Sequence, residues 1–404
     1  MKKTLAAVAV LGAFAGSALA AEVQLYGIVD LGVGYSHTDA DGLLTDSNDQ
    51  ALSEQTKDSF QMKSGQGSGS RWGIKGTEDL GNGLKVGFIL EDGFDADDGT
   101  EDSTDVMFNR ESSLFIEGGF GKLALGRMGS INAGQSSWAT VGMLSAFGTS
   151  DWGGYSAQLG NIISLAGQWD NMIAYQTPGF AGFKVYAQYG MGNKIKRGDN
   201  FVGEENESSS DRYYAIGATY NNGPFAAYLA VDSINYATFG AGADDGDGTA
   251  RGNDIDDSLT VTLGGSYDFE VVKVYLAGQY FDEVRASSLG GITKDFAEWD
   301  DVTDKVKGYA LTLSADAPLW GGKGMFGIGY VDAETSDSYE TMYPGENVDF
   351  KRYVVTVGYD YPFSKRTDLY AMASYMQDEL DIQDMNDDYK PSAYTFYVGL
   401  RHKF

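Results

Sequence analysis

Apolar and polar residues alternate with a period of two through much of the chain. At the C-terminus Tyr394, Phe396, Val398, Leu400, His402 and Phe404 fall on one row, with Thr395, Tyr397, Gly399, Arg401 and Lys403 on the other. Leu84, Val86, Phe88 and Leu90 alternate with Lys85, Gly87, Ile89 and Glu91, and Phe183, Val185, Ala187 and Tyr189 with Lys184, Tyr186, Gln188 and Gly190. Successive side chains of a strand point to opposite faces, so each segment predicts a β-strand with one apolar face. A soluble antiparallel sandwich alternates in the same way. The connections have to separate it from a membrane barrel.

Tight turns alternate with long loops. The short connections are Asp79 to Gly83, Gly118 to Gly121, Pro178 to Gly182, Asn221 to Pro224, Asp268 to Val271, Ala317 to Gly324 and Pro362 to Thr367, most of them rich in Gly, Asn, Asp or Pro. Eight longer connections are centred near residues 47, 98, 148, 200, 245, 295, 342 and 384. Fifteen connections join sixteen strands. An even number of antiparallel strands with tight turns at one end and long loops at the other predicts an all-β, 16-stranded antiparallel transmembrane β-barrel. Closure leaves no unpaired edge to face lipid.

Composition narrows the setting. Lys2 and Lys3, the apolar stretch Leu5 to Ala15 and the small residues Ala18-Leu19-Ala20 read as a signal peptide over residues 1–20, which leaves 21–404 as the barrel. No later run of 18 or more apolar residues offers a transmembrane helix. The chain has no Cys and a net charge of −29, which excludes disulfides and argues against a nucleic-acid partner, since phosphates demand a basic face. Much of the acid sits in the long connections: His37–Asp58 holds six acids and one base, Asp92–Asp105 seven and none, Gly240–Asp257 six and one, and Asp378–Lys390 six and one. Such loops belong in water.

The third long connection differs. From Met128 to Gly167 its single charged residue is Asp151, amid Trp138, Met143, Leu144, Phe147, Trp152 and Tyr155. A segment so poor in charge is expected to fold back into the lumen and narrow it; the alternative is an exterior loop at a subunit contact. Strict alternation turns Gln24, Tyr26, Ile28 and Asp30 inward in the first strand, and Arg71, Gly73 and Lys75 inward in the second. In the sixth it sends Trp169, Ile173 and Tyr175 outward, so that Gln168 and Asp170 line the lumen. Arg71 and Lys75 opposite Asp30, Asp170 and Asp151 set a transverse field that discriminates ions by charge. The same charges equally well serve to pair with one another. Arg127 shares the lipid-side row of Leu123 and Leu125, and joins Arg71 only if the chain turns inward there.

Glu22 to Asp30 (EVQLYGIVD), Ser70 to Gly83 (SRWGIKGTEDLGNG), Leu123 to Arg127 (LALGR), Asn171 to Phe180 (NMIAYQTPGF) and the terminal Phe404 together resemble the general trimeric porins of Gram-negative outer membranes. The resemblance runs over the whole mature chain. It implies a sixteen-stranded barrel in the outer membrane, a homotrimer, a third loop in the pore, contact with lipid and lipopolysaccharide, and passive diffusion of ions and small hydrophilic solutes. It also implies that the barrel-assembly machinery reads Phe404. Arg71 and Arg127 match two of the family's constriction arginines. Ile28 stands where relatives often carry Lys, Gln168 where they often carry a third Arg, and Gly142 and Ala146 replace loop acids. Fewer fixed lumenal charges together with acidic mouths suggest a modest cation preference.

Enzymatic chemistry has little to build on. The two histidines are His37, in an acidic loop, and His402, on the lipid-side row. Gly322 to Gly327 spells G-x-G-x-x-G but leads into strand residues, not a helix. The Asp clusters at 95–98 and 244–247 lack calcium-loop spacing, and weak divalent binding that bridges to lipopolysaccharide is the alternative to simple solvation. No cofactor is expected. Two other functions stay open: a substrate-specific channel with an aromatic track from Trp138, Phe147, Trp152 and Tyr155, and a non-conducting adhesin acting through its loops.

Overall fold

A computed structural model describes residues 22–39, 56–103, 106–192, 196–197, 200–201, 204–237, 256–292, 305–342, 347–383 and 389–404. The signal-peptide reading at 1–20 and the Asp cluster at 244–247 lie outside these residues. Alternation becomes strand where it was expected to. The wall begins with β1 (Glu22–Asp39), then β2 in two stretches (Thr56–Ser64 and Arg71–Gly81), β3 (Leu84–Gly93), β4 (Glu111–Gly118), β5 (Gly121–Gly129) and β6 (Gln168–Gln176). It continues through β7 (Phe183–Gly190), β8 (Arg212–Asn222), β9 (Phe225–Asn235), β10 (Leu259–Asp268) and β11 (Lys273–Arg285). The last five are β12 (Lys305–Leu319), β13 (Gly322–Thr335), β14 (Val348–Pro362), β15 (Thr367–Ile382) and β16 (Ser392–Lys403).

Each strand pairs antiparallel with its neighbours, and β1 closes the sheet on β16 from Ile28↔Lys403 to Asp39↔Ser392. The sheet contains seventeen hydrogen-bonded runs because β2 is interrupted. Its two stretches face the same partner, with Ser64 opposite Leu31 and Arg71 opposite Ile28. The chain is therefore a closed barrel of sixteen wall strands. Gly65 to Ser70 is an insert that leaves the wall between those registers.

Period two fixes which face meets which solvent. Leu25, Leu114, Leu125, Leu229, Leu263, Leu276 and Leu311 are exposed on the outer row, while Ala124, Tyr228, Thr262, Ala277 and Ala310 on the other row are buried. Two aromatic bands flank the apolar belt. Tyr309, Tyr330 and Tyr353 neighbour one another toward the loop end, and Phe183, Tyr220, Phe225, Tyr267 and Phe269 cluster toward the turns. Amphipathic rings at both rims mark the two lipid–water interfaces of a spanning barrel. No described helix is long and apolar enough to cross a membrane.

One departure from parity corrects the sixth strand. Asn171 adopts a left-handed φ of 51°, and the β5–β6 register shifts between Gly126↔Met172 and Met128↔Trp169. Two residues of β6 then oppose one of β5, a bulge that brings Trp169 to the inner row. Trp169, expected on the outside, instead stacks on buried Tyr213 of the inner row, with ring centroids 5.1 Å apart. Ile173 and Tyr175, beyond the bulge, keep the facing that alternation gives them.

The charge-poor segment after β5 is bonded to the inner rows of many strands. Its amides at Ile131, Ala146, Ala157 and Ser164 donate to Gln188 of β7, Ser314 of β12, Thr356 of β14 and Gln279 of β11, at 2.7 to 3.0 Å. Asn132 donates to Asp232 of β9. Trp138, Val141, Leu144, Phe147, Leu159, Ile162 and Ile163 are all buried. Removal of each such side chain from water contributes about 1.5–3 kcal/mol, which explains why this connection is apolar where its neighbours are acidic. Arg352 of β14 is 1% exposed and completes the attachment. Its Nε and Nη2 donate to Asp378 of β15 at 2.7 and 2.8 Å, and its Nη1 donates to the carbonyls of Asn161 and Leu289 at 2.9 and 2.6 Å.

Candidate functional site

The insert in β2 and the third long connection meet. The Gln66 carbonyl accepts the Trp152 amide at 2.7 Å, and Gln66 Oε1 accepts that of Gly153 at 2.8 Å. On its other side the insert is held by Tyr370, whose hydroxyl accepts from Gly67 N and donates to Asp30, and by Asp30 Oδ2, which accepts from Ser68 N. Arg401 donates to the Gly67 carbonyl at 3.0 Å. Gly67 is needed here, because a Cβ at that position would stand 2.8 Å from the Tyr370 ring.

Below this junction lies a cavity of about 580 Å³ between the inner faces of β1 to β4 and the segment around Ala133 to Asp151. Arg71, Lys75 and Arg110 line it together with Glu91, Glu111 and Asp151. Arg71 donates to Ser68 Oγ and to the Gly69 carbonyl, and its Nε lies 3.6 Å from Glu91. Arg110 Nε binds Glu91 at 2.8 Å and its Nη1 donates to Gln135. Tyr26 donates to the same carboxylate, and the Lys75 ammonium sits 4.9 Å from the Tyr26 ring centroid. Glu111 accepts from Ser113, Ser136 and Ser137. Two of the three carboxylates are thus heavily hydrogen-bonded. Lys75 and Asp151 are exposed.

A second cavity, of about 570 Å³, lies toward the loop end. Lys57, Ser59, Gln61 and Lys63 of β2 line one side, and Asp151, Gly153 and Tyr155 the other. Asp151 belongs to both cavities. Their combined lining carries five bases, Lys57, Lys63, Arg71, Lys75 and Arg110, against three acids, Glu91, Glu111 and Asp151.

Of the residues expected from sequence, Arg71, Lys75 and Asp151 are brought together. Asp30 is on the inner row but 0% exposed, closed off by the insert and Tyr370. Arg127 does not reach this cluster. Its register partner is Ser112, next to the exposed pair Leu114 and Leu125, so it keeps the outer row that strict alternation assigns. There it binds Asp170 at 2.7 Å and the Asn109 carbonyl at 2.8 Å, which offsets the cost of a guanidinium on that face. Gln168 and Asp170 line a separate cavity of about 420 Å³, shared with Ser164, Asp211 and Arg285. Phe404 pairs with Gly27 through both backbone groups, and its side chain is half-exposed.

Sequence reasoning missed Arg110, Glu111, Lys57 and Lys63. Arg110 ends a loop, where parity says nothing. Lys57 falls inside an acidic stretch and Lys63 just beyond it, although Lys57, Ser59, Gln61 and Lys63 alternate with Asp58, Phe60 and Met62. That alternation was the available signal.

The family model described as Gram-negative porin matches residues 6–381. The chain is 33% identical over 426 residues to an outer membrane porin protein of Bordetella pertussis, covering 100% of both chains. It is 29% identical over 383 residues to "Outer membrane porin protein 32" of Delftia acidovorans, covering 94% of this chain and 90% of the relative. Among solved structures it is similar to "Anion-selective porin from Comamonas acidovorans", with a TM-score of 0.62 at 25% identity over 95% of this chain and 100% of that one.

Proposed function

This chain belongs to the Gram-negative porin family, and we propose from that premise that it admits ions and small hydrophilic solutes by passive diffusion through a water-filled pore whose constriction is the charged cluster around Arg71. As a porin it is a channel of the bacterial outer membrane, not an enzyme. We assign the constriction to Arg71, Lys75, Arg110, Glu91, Glu111 and Asp151, with residues 128–167 as the loop that narrows the lumen. The bonds from that segment to the inner rows of β7, β9, β11, β12 and β14 support this.

The acidic mouth argued for cations, but the lining argues otherwise. Five bases against three acids in the two cavities that share Asp151 is the observation that carries our reading, a modest preference for anions, while the separate cavity of about 420 Å³ carries Asp170, Asp211 and Asp232 against Arg285. Fixed charges in a narrow aqueous path act at short range, whereas mouth charges are screened within roughly 8 Å at physiological salt. The relative from Comamonas, whose name states anion selectivity, is consistent with it. An aromatic track for one substrate receives no support from Trp138, Phe147 and Trp152, which are buried packing residues; Tyr155 alone of the four lines a cavity. Trimeric assembly, lipopolysaccharide contact and reading of Phe404 by the assembly machinery follow from the family resemblance.

The test is the reversal potential of single channels in a planar bilayer under a KCl gradient. A potential favouring Cl⁻, with conductance arriving in three equal steps, is expected. A potential favouring K⁺ refutes the selectivity, and a protein that inserts correctly without conducting refutes the channel.

A further inference from the structure

Where the third loop returns to the wall, the lining changes sign. The cavity of about 420 Å³ lies between that return, Ser164 to Asp170, and the loop-side ends of β8 to β11, and it shares no lining residue with the two cavities that meet at Asp151. It carries Asp170, Asp211 and Asp232 against Arg285. Two of these acids already have a cation: Arg127 binds Asp170 and Arg285 binds Asp211, each at 2.7 Å. Asp232 is different. It is 3% exposed, accepts from the amide of Asn132 in the loop, and pairs with no cation among the described residues.

We propose that this cavity is a binding site for small organic amines that carry one ammonium group on an apolar body, with Asp232 as the counter-ion. Taking a carboxylate out of water is costly unless a cation and hydrogen bonds replace the water. The neutral amide of Asn132 supplies one bond and no charge. Thr260 of β10 is the register partner of Asp232. It lines the same cavity, is 4% exposed, and its Oγ1 has no hydrogen-bond partner among the described residues. A free acceptor thus adjoins an uncompensated anion at the floor of a cavity. An ammonium satisfies both, donating one N–H to the carboxylate and another to the hydroxyl, the first a charge-assisted bond.

The rest of the lining selects the class of cation. Among the described residues no three acids or histidines stand close enough to hold a metal ion, so a bare divalent cation is not what the carboxylates surround. A dication would find the second and third acids already paired. Leu165, Trp169, Ile234 and Val284 supply apolar wall, and the volume falls in the range of small-molecule sites, roughly 300–1,000 Å³. The ligand therefore needs an apolar body as well as its charge. This site differs from the constriction in sign and in place, and it stands independently of the anion-preferring reading.

The test is isothermal titration of the full chain, folded in detergent micelles at low salt and neutral pH, with 2-phenylethylamine as the probe and the signal of empty micelles subtracted. Saturable binding to the wild type is expected, weakened about tenfold or more in Asp232→Asn by loss of the charged acceptor. Thr260→Val should weaken it about threefold, and that variant removes a buried unpaired hydroxyl, so its folding is not at risk. The uncharged analogue 2-phenylethanol should not bind. No saturable binding of the amine to the wild type, equal binding to Asp232→Asn, or equal binding of the alcohol each overturns the proposal. Should Asp232→Asn fail to fold, wild-type affinity in Thr260→Val overturns it instead.

Discussion

Arg352 offers a perturbation that separates the stability of the wall from the position of the loop. It joins three parts of the chain: Asp378 of the neighbouring strand, the Asn161 carbonyl of the third loop and the Leu289 carbonyl of a later one. Arg352 and Asp378 are 1% and 0% exposed. In Arg352→Met the buried Asp378 carboxylate loses its guanidinium, and removal of one member of a buried pair costs about 3–5 kcal/mol. Replacing both members with apolar residues of similar volume removes that penalty and is often neutral. Arg352→Met/Asp378→Leu should therefore regain most of the loss. Neither variant restores the donors to Asn161 and Leu289. Urea unfolding in lipid vesicles, followed by tryptophan fluorescence, measures stability, and open-channel current noise measures whether the loop is held. The expected outcome is a destabilised, noisy single variant and a stable, equally noisy double variant. If the single variant unfolds like the wild type, or the double variant is as quiet, Arg352 is not the clamp described here.

Other predictions concern the lumen and the seam. Lys75→Glu makes the lining four bases against four acids and should move the KCl reversal potential toward K⁺ by several-fold in permeability ratio, given about threefold per unit charge at 7 Å in water; no movement would remove Lys75 from the constriction. Asp151→Asn should shift the same potential toward Cl⁻, since its carboxylate faces both cavities. Gly32→Ala puts a Cβ 2.3 Å from the Val398 carbonyl across the β1–β16 seam, and this overpacking should lower barrel stability by about 1–3 kcal/mol, read as the temperature at which the folded band is lost in gel electrophoresis. Arg127→Ala should leave conductance and selectivity unchanged, because Arg127 keeps the outer row and lines neither of the two cavities that share Asp151; altered selectivity would return it to the pore.

The wall was legible from sequence because alternation is a backbone property, and lipid outside with water inside makes every strand display it. The turns were legible for a similar local reason, since Gly, Asn and Asp announce them. Facing failed at one place, Trp169, where a single left-handed residue two positions later reversed the count. Nothing in Asn171 as a letter distinguishes a bulge from an ordinary strand position. The pore lining was harder. Arg71 and Lys75 were found by parity, but Arg110 reaches the same cavity from a loop, and its partner Glu91 gains meaning only once the two are 2.8 Å apart. The interruption of β2 was hidden as well: Gly65 to Ser70 reads as loop, and only pairing on both sides with β1 shows it to be an excursion from a continuing strand.

The way the third loop is fastened bears on how such channels can be altered. The loop occupies residues between Gly129 and Gln168, yet the side chains that hold it come from positions as late as Thr356 and Tyr370. On the proposed reading, the placement of one wall of the aperture therefore depends on residues of the C-terminal half as well as on the loop itself. Transplanting this loop alone into a related barrel would carry over its letters without its geometry. A recombinant that exchanges β11 to β16 and keeps the loop intact should change the pore more than one that exchanges the loop.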